Sequence, residues 1–249
     1  SSTGIYALIL SPTRELAVQI GTSIRNYGMY LTKKHTVIYG GVDKETQITH
    51  LKEGVDILVA TPGRFLDLHR QGYIDCRGIS FFVLDEVDRM LDIGLLSDVQ
   101  KIISLLPEKR QNLVFSATLP HSIVNLTSSF VHNPIRIDVH RELSPSKIVQ
   151  KVMFVDEANK PQLLRGLLEV LGCTSSIVFT RTRDHADQLF AFLQEHEVQV
   201  VVLHGKKTQK NRLKALSDFR MGVAKVLVAT DVAARGIDIH GVSHVFNYE

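Results

Sequence analysis

Short apolar runs alternate with amphipathic stretches along most of the chain. Runs rich in Val, Ile and Phe that end after five to seven residues suit strands buried on both faces of a parallel sheet. The predicted strands are, in chain order, IYALIL, DILVA, FFVLD, NLVFSAT, KVMFV, SIVFT, VQVVVLH, KVLVAT and SHVFNY. Because such strands alternate with helical stretches, the pattern predicts an α/β fold with helices on both faces of each sheet.

The predicted helices fill the intervals between these runs. They cover residues 14–31, 64–70, 95–106, 121–131, 160–171, 184–196 and 209–221. In the first of them Leu16, Ile20, Ile24, Tyr27 and Leu31 follow one another at steps of three and four. This spacing predicts that the five side chains form one buried face.

The alternation pauses at NPIRIDVHRELSPSKIVQ and then restarts. Pro134, Pro145 and several small polar residues in this stretch are typical of a linker. We therefore predict an N-terminal domain over residues 1–140, a linker over 141–148 and a C-terminal domain over 149–249.

Composition narrows the class of protein only slightly. The hydrophobic content of 44% suits a globular protein, and a net charge of +3 is too small to indicate nucleic-acid binding by itself. Cys76 and Cys173 are far apart, and the histidines lack the i, i+4 spacing of a metal pair. No apolar run approaches the ~18 residues of a membrane span, and the first residues do not look like a signal peptide.

Three carboxylates follow the apolar run FFVL directly: Asp85, Glu86 and Asp88. The carboxyl end of a buried strand is where α/β proteins usually bind ligands. One interpretation gives a carboxylate to a hydrated Mg²⁺ on nucleotide phosphates and its neighbour to an attacking water. The other is that these acids cap the helix that follows. The residues alone leave both open.

A second charged stretch is KKTQKNRLK, residues 206–214, which has five basic residues in nine and no acid. Either it is a solvated helix start or it binds an anion.

Eight short pieces occur in one order, at strand ends: SPTRELA, GG, VATPGR, DEVD, SAT, VFTRT, LHGKKTQKNR and ATDVAARGIDI. Together they resemble the DEAD-box RNA helicases of superfamily 2, and the later pieces are most similar to RhlE-type bacterial members. The resemblance covers essentially the whole chain and implies two RecA-like domains, with the first and last elements truncated. Val87 replaces the usual alanine and leaves the acids in place.

The resemblance implies ATP and Mg²⁺ as cofactors. Asp85 would hold Mg²⁺ through water, and Glu86 would position or deprotonate the hydrolytic water. Asp88 would connect this site to Ser116 and Thr118, whose hydroxyls link nucleotide state to RNA binding.

The resemblance also implies further contacts with the nucleotide and with RNA. Gly236 and Asp238 would bind the nucleotide, with Asp238 reaching the ribose. The RNA-binding positions would be Pro12, Thr13, Arg14, Gly40, Gly41, Thr61, Gly63, Arg64, Thr182, Gly205, Gln209, Arg212, Thr230 and Arg235. No aromatic side chain lies among them, so we expect binding to the sugar-phosphate backbone with little sequence preference and strong salt dependence.

Three family elements are absent from this sequence: the adenine-reading Q motif, the phosphate-binding loop and the final arginine-rich motif. The only GK pair, Gly205 and Lys206, lacks the glycine and hydroxyl that a phosphate loop needs, since residues 200 and 207 are Val and Lys. As written, the chain is expected to hydrolyse ATP poorly and to leave a sheet edge open for pairing.

Two functions are compatible with these observations. The first is an ATP-dependent RNA helicase core that unwinds short duplexes by ATP-driven domain closure; the second is an ATPase-deficient RNA clamp or scaffold in a ribonucleoprotein. The expected partners are RNA, as a single strand or short duplex, and ribonucleoprotein or ribosome-assembly proteins, with no membrane and a monomeric state. The expected location is cytoplasmic in a bacterium, otherwise nuclear or organellar.

Overall fold

A computed structural model describes residues 4–139, 148–234, 239 and 241–249. The chain divides into two compact units, Ser1–Pro134 and Ile135–Glu249. Only residue 148 of the predicted linker is described, so the linker and the domain limits drawn around it stay predictions.

The first unit is built on a five-stranded parallel sheet. Its strands are β1 (Ala7–Leu10), β2 (His35–Ile38), β3 (Ile57–Ala60), β4 (Phe81–Leu84) and β5 (Gln111–Val114). They lie in the order β2-β3-β1-β4-β5, with every pair parallel. The last residues of the five strands are in register, for example Leu10 beside Ala60 and Leu84. All five strands therefore end at one edge of the sheet.

Helices cover both faces of this sheet. They are α1 (Arg14–Tyr27), α2 (Glu45–Lys52), α3 (Pro62–Arg70), α4 (Val87–Asp92), α5 (Leu96–Leu105) and α6 (His121–Ser128). The main core joins Leu8, Leu58 and Phe82 of the sheet to side chains of α2 to α6. Helix α1 lies against β2 and β3 on the opposite face.

The predicted buried face of α1 is wrong. The helix ends at Tyr27, and Tyr27 and Leu31 are 88% and 67% exposed. The buried residues are instead Glu15, Ala17 and Gly21. The helix crosses β2 so closely that a Cβ on Gly21 would lie 2.3 Å from Val37 Cγ2. Ala17 and Gly21 therefore lie closest to the sheet, while Leu16, Ile20 and Ile24 of the predicted stripe are only half-buried.

The second unit repeats the same architecture with four parallel strands. After a 3₁₀ turn at Glu157–Asn159 come α7 (Lys160–Val170), β6 (Ser176–Thr180), α8 (Arg183–Glu195), β7 (Val200–Leu203), α9 (Gln209–Arg220), β8 (Val226–Thr230), α10 (Asp231–Ala234) and β9 (His244–Asn247). The strand order is β7-β8-β6-β9. All five residues of β8 are buried, as its uninterrupted apolar sequence predicts.

The predicted strand KVMFV is also wrong. Residues 151–155 have no regular structure, and Phe154 is 98% exposed. A strand needs a neighbour for its backbone hydrogen bonds, and no strand in the described part of the chain pairs with this segment.

Candidate functional site

In the first unit the predicted site residues lie in loops that follow adjacent strands at one sheet edge. Backbone hydrogen bonds continue the ladder beyond the strands: Thr61 donates to Ile38, Ser11 to Ala60 and Asp85 to Leu10, each at 3.0 Å. These bonds hold the loops in one row. From β2 to β5 the row contains Gly40 and Gly41, then Thr61, Gly63 and Arg64, then Pro12, Thr13 and Arg14, then Asp85, Glu86 and Asp88, and last Ser116 and Thr118.

Asp85 is half-buried at the end of β4. Burial raises the pKa of its carboxyl group, and the neighbouring charge of Glu86 raises it further. A bound cation would stabilise the charged form of such a carboxylate. In the described residues, however, no group of three or more His, Cys, Asp or Glu side chains is placed to hold a metal. An ion at Asp85 would therefore take its other ligands from water and phosphate, as Mg²⁺ commonly does.

Glu86 begins α4 in a left-handed conformation, with φ 51° and ψ 55°. This conformation is costly for a residue with a side chain and is typical of functional sites. Its carboxylate makes no capping hydrogen bond to the helix and instead pairs with the buried Arg89 guanidinium at 3.2 Å. Helix capping therefore does not explain Glu86.

Asp88 connects the acids to the loop after β5. Its carboxylate accepts hydrogen bonds from the Thr118 backbone N–H at 2.9 Å and the Thr118 hydroxyl at 3.0 Å. The Ser116 hydroxyl accepts from the Asp88 N–H at 3.2 Å and donates to the Thr118 carbonyl at 2.6 Å. The structure thus brings these three residues together as the sequence predicts.

At the other end of the row, two arginines lie against the glycine loop. A Cβ on Gly41 would be 2.1 Å from Arg14 Nη1, so a larger residue here would displace the Arg14 guanidinium, and the positive φ of 76° also favours glycine. Arg64 Nη2 donates to the Val42 carbonyl at 3.0 Å, while its Nη1 is buried without a hydrogen-bond partner in the described part of the chain. Thr13 caps α1 by accepting from the Leu16 N–H at 3.3 Å. This end of the row presents donors suited to an anion.

The second unit has a cavity of about 510 Å³ at the carboxyl ends of its strands. Its lining residues are Arg181, Thr182, Arg183, Asp184, Gly205, Lys206, Arg212, Thr230 and Ala233. Four of them are cationic and one is anionic, so the cavity favours an anionic ligand. We call it the cationic cavity.

The cationic cavity contains four of the predicted RNA-binding residues, Thr182, Gly205, Arg212 and Thr230. Gln209 is buried at the start of α9 and does not line it. Arg235, Gly236 and Asp238 lie outside the described residues.

The sequence prediction missed Arg181 and Arg183. Their signal is the alternating TRTR that begins at the last residue of β6, in which both arginines border the cavity. The sequence prediction also missed the ion pair between Lys206 and Asp184, in which Nζ and Oδ1 are 3.0 Å apart. A smaller cavity of about 290 Å³ lies beside the first, where the Glu249 carboxylate accepts from the Arg181 backbone N–H at 2.9 Å.

Two family models match the chain. The model described as DEAD/DEAH box helicase matches residues 1–126, and the helicase conserved C-terminal domain matches residues 159–249. The chain belongs to the DEAD/DEAH box helicase family. The predicted family is thereby confirmed, whereas the closer likeness to RhlE-type members stays a prediction.

Several named members of this helicase family are similar to the chain. The DEAD-box ATP-dependent RNA helicase RhpA of Helicobacter pylori is 40% identical over 98% of the chain and 50% of its own length. CshA of Streptococcus pneumoniae is 41% identical over 98% of the chain and 47% of its own length. DBP2 of Candida albicans is 39% identical over 99% of the chain and 45% of its own length. The chain therefore spans about half the length of the curated relatives it matches.

Solved helicase structures share the fold. Dbp5 of S. cerevisiae bound to RNA and ADP BeF3 matches with a TM-score of 0.83 and 33% identity, over 99% of this chain and 63% of that chain. The predicted RecA-like α/β fold is confirmed. No helix in the part of the chain that the structure describes is long and apolar enough to cross a membrane.

Proposed function

We propose that this chain is the core of an ATP-dependent RNA helicase that binds RNA through its sugar-phosphate backbone and separates short duplexes by ATP-driven closure of its two units. The observation that carries the proposal is the row of loops in the first unit, with carboxylates at one end and arginines beside bare glycines at the other. Relatives named as ATP-dependent RNA helicases, and a Dbp5 structure described as bound to RNA and ADP BeF3, support it.

ATP and Mg²⁺ are the proposed cofactors. Asp85 would hold the ion through water, which would relieve the cost of its buried charge. When bound, Mg²⁺ would neutralise charge on the transferred phosphate. Glu86, held by Arg89, would orient the attacking water. The contact of Asp88 with Thr118 would transmit changes at this site to the neighbouring loop.

RNA would bind the arginines of the first unit and the cationic cavity of the second. Arginine side chains and bare backbone N–H groups recognise phosphate without reading bases. The residues lining the cationic cavity include no aromatic side chain on which a base could stack. Little sequence preference and a strong dependence on salt are therefore expected.

The alternative, an ATPase-deficient clamp or scaffold, would need only the phosphate-binding surfaces. The strained Glu86 favours the enzyme, because a clamp has no chemical use for a carboxylate held in a costly conformation beside the half-buried Asp85.

RNA-stimulated phosphate release from ATP by the full-length protein separates the two functions. A helicase should lose at least ~10²-fold in rate in Glu86→Gln, which removes the group proposed to orient water, while its RNA affinity stays unchanged. The control Glu108→Gln makes the same chemical change at an exposed loop that precedes β5. Tight RNA binding with no release in the unchanged protein would favour the clamp.

A further inference from the structure

A histidine with almost no solvent access lies next to the cationic cavity. His204 is 1% exposed at the end of β7, and the next two residues, Gly205 and Lys206, line the cavity. Buried histidines are usually hydrogen-bonded on both ring nitrogens, so their partners define their role.

The two ring nitrogens of His204 have different partners. The Lys206 backbone N–H donates to Nδ1 at 3.3 Å, so Nδ1 accepts. In the neutral ring the proton is then on Nε2, which lies 3.0 Å from Asp187 Oδ1 and donates to it. The imidazole thus joins helix α8 to the loop that follows β7.

Asp187 is itself fixed from a second side. Lys207 Nζ lies 2.8 Å from the same Oδ1 atom. Burial acts to raise the pKa of Asp187, but hydrogen bonds from Lys207 and His204 outweigh it and hold that pKa below its usual value. The carboxylate therefore stays charged and anchors both residues.

This pair connects the two walls of the cationic cavity. Helix α8 begins at Arg183, and a Cβ on Gly205 would lie 3.9 Å from Arg183 Cζ, so the walls come close together. A shift of the loop would move the Lys206 ammonium and the Gly205 N–H relative to Arg183.

We propose that Asp187 and His204 are positioning residues that hold the loop after β7 in the shape in which the cationic cavity binds RNA phosphate. The inference rests on the proposed RNA binding and adds to it two residues that do not line the cationic cavity. It competes with a simpler view, in which the pair only stabilises the unit.

The first test is Asp187→Ala in the full-length protein, with a fluorescein-labelled single-stranded oligo(U) titrated at several KCl concentrations. Electrostatics alone predicts tighter binding, because the change removes a negative charge that is paired with Lys207 next to the cationic cavity. Positioning predicts the opposite: binding weakened by about 10-fold, the equivalent of one charge-assisted hydrogen bond. The slope of log K against log salt should fall by ~0.7, the value of one lost phosphate contact on a single strand.

Glu195→Ala is the matched control, because it makes the same charge change on an exposed residue at the other end of α8. Its affinity should equal or slightly exceed that of the unchanged protein. A folded Asp187→Ala variant that binds as tightly as this control would overturn the inference.

Substitutions of His204 test the link from the other side. Asn can place an oxygen near the Nδ1 position and accept from the Lys206 N–H, whereas Leu cannot. His204→Asn should therefore recover part of the affinity that His204→Leu loses. Both variants lack the bond to Asp187, so a difference between them measures the bond to the Lys206 N–H. Equal losses would contradict the proposal that His204 holds the loop through that bond.

A failure of the proposed RNA binding would be recognised separately, since the unchanged protein would then not bind oligo(U). Amide hydrogen exchange would still measure the loop. If the Lys206 amide is protected from exchange in the unchanged protein and loses that protection in Asp187→Ala, the loop is positioned by this pair. Equal exchange in the unchanged protein and the variant refutes the inference.

Discussion

Thr118 donates two hydrogen bonds to the Asp88 carboxylate, one from its backbone N–H at 2.9 Å and one from its hydroxyl at 3.0 Å. Asp88 lies in the first turn of α4, just after β4, and Thr118 follows the neighbouring strand β5. The first turn of α4 and the loop after β5 are therefore joined by these hydrogen bonds as well as by the sheet. We propose that a movement at the acids reaches the loop after β5 through this contact.

Thr118→Val keeps the side-chain shape and removes only the hydroxyl bond. We expect a loss of about 0.5–1.5 kcal/mol in the free energy of unfolding of the first unit, measured in urea. Duplex unwinding should fall more than ATP hydrolysis. Thr49→Val removes a hydroxyl bond to the Glu45 carbonyl within α2, and should leave unwinding unchanged. Equal unwinding by the two variants would refute a coupling role for Thr118.

Gly41→Ala should impair RNA binding through Arg14. The residue has a φ of 76°, and its Cβ would overlap the Arg14 guanidinium. Gly54 is the matched control, because its φ is 85° but no atom lies within 4 Å of its Cβ position. Both alanine variants should lose about 1 kcal/mol of stability from the positive φ. Only Gly41→Ala should also weaken binding of oligo(U); a similar loss in Gly54→Ala would mean that strain alone is responsible.

Asp184→Asn should strengthen RNA binding at low salt. Asp184 lies 3.0 Å from the Lys206 ammonium and is the one carboxylate among the residues lining the cationic cavity. Removing its charge leaves Lys206 available to phosphate, for a gain of about 2- to 5-fold at 50 mM KCl that disappears at high salt. Glu195→Gln, with the same loss of charge at the far end of α8, should give a smaller change. An affinity that falls in Asp184→Asn would show that the carboxylate helps to shape the cavity.

The strands that sequence predicts best are those buried on both faces. KVLVAT contains β8, whose five residues are all buried. FFVLD contains β4, in which buried residues alternate with half-buried ones, so the apolar run predicts a strand there too. Strand β2 was missed, since His35 and Thr36 interrupt its apolar character. Strand β2 lies at the edge of the sheet, where polar residues are tolerated.

The family motifs predict which residues face the site but not how they are paired. The Asp88–Thr118 contact was predicted from motifs alone, whereas the link between Asp187 and His204 was not. Sequence gives no signal for a hydrogen bond between residues 17 positions apart on a helix and a strand end. The buried face of α1 was missed for a related reason, since close packing at Gly21 depends on the position of Val37.

Asp85→Asn should stabilise the ligand-free protein at neutral pH. Because the folded state raises the pKa of Asp85, it binds a proton more tightly than the unfolded state does. The stability that protonated Asp85 contributes is fully present at a pH below its ordinary pKa of 3.8. It is lost as the pH rises through the raised pKa of the folded state. The variant lacks this loss, so its melting temperature should exceed that of the unchanged protein at pH 7, with the difference vanishing near pH 3.

Asp75 provides a control of opposite sign. Hydrogen bonds from Arg77 lower the pKa of Asp75 to about 2. Its contribution to folding stability is therefore present at neutral pH and is lost as the pH falls from 3.8 toward about 2. Asp75→Asn should therefore melt slightly earlier than the unchanged protein at pH 7. If Asp85→Asn also melts earlier at pH 7, the Asp85 carboxylate is not destabilised in the fold.

Glu86 should show a conflict between stability and activity. Its left-handed φ of 51° costs a residue with a Cβ about 1–2 kcal/mol relative to glycine. Glu86→Gly and Glu86→Ala both lose the pairing with Arg89, so the difference between them isolates the backbone. Glycine should be the more stable by about 1 kcal/mol in urea unfolding, although alanine is the better residue inside a helix. Both should abolish RNA-stimulated phosphate release. An alanine variant at least as stable as the glycine variant would mean that the backbone at this position relaxes out of the left-handed conformation.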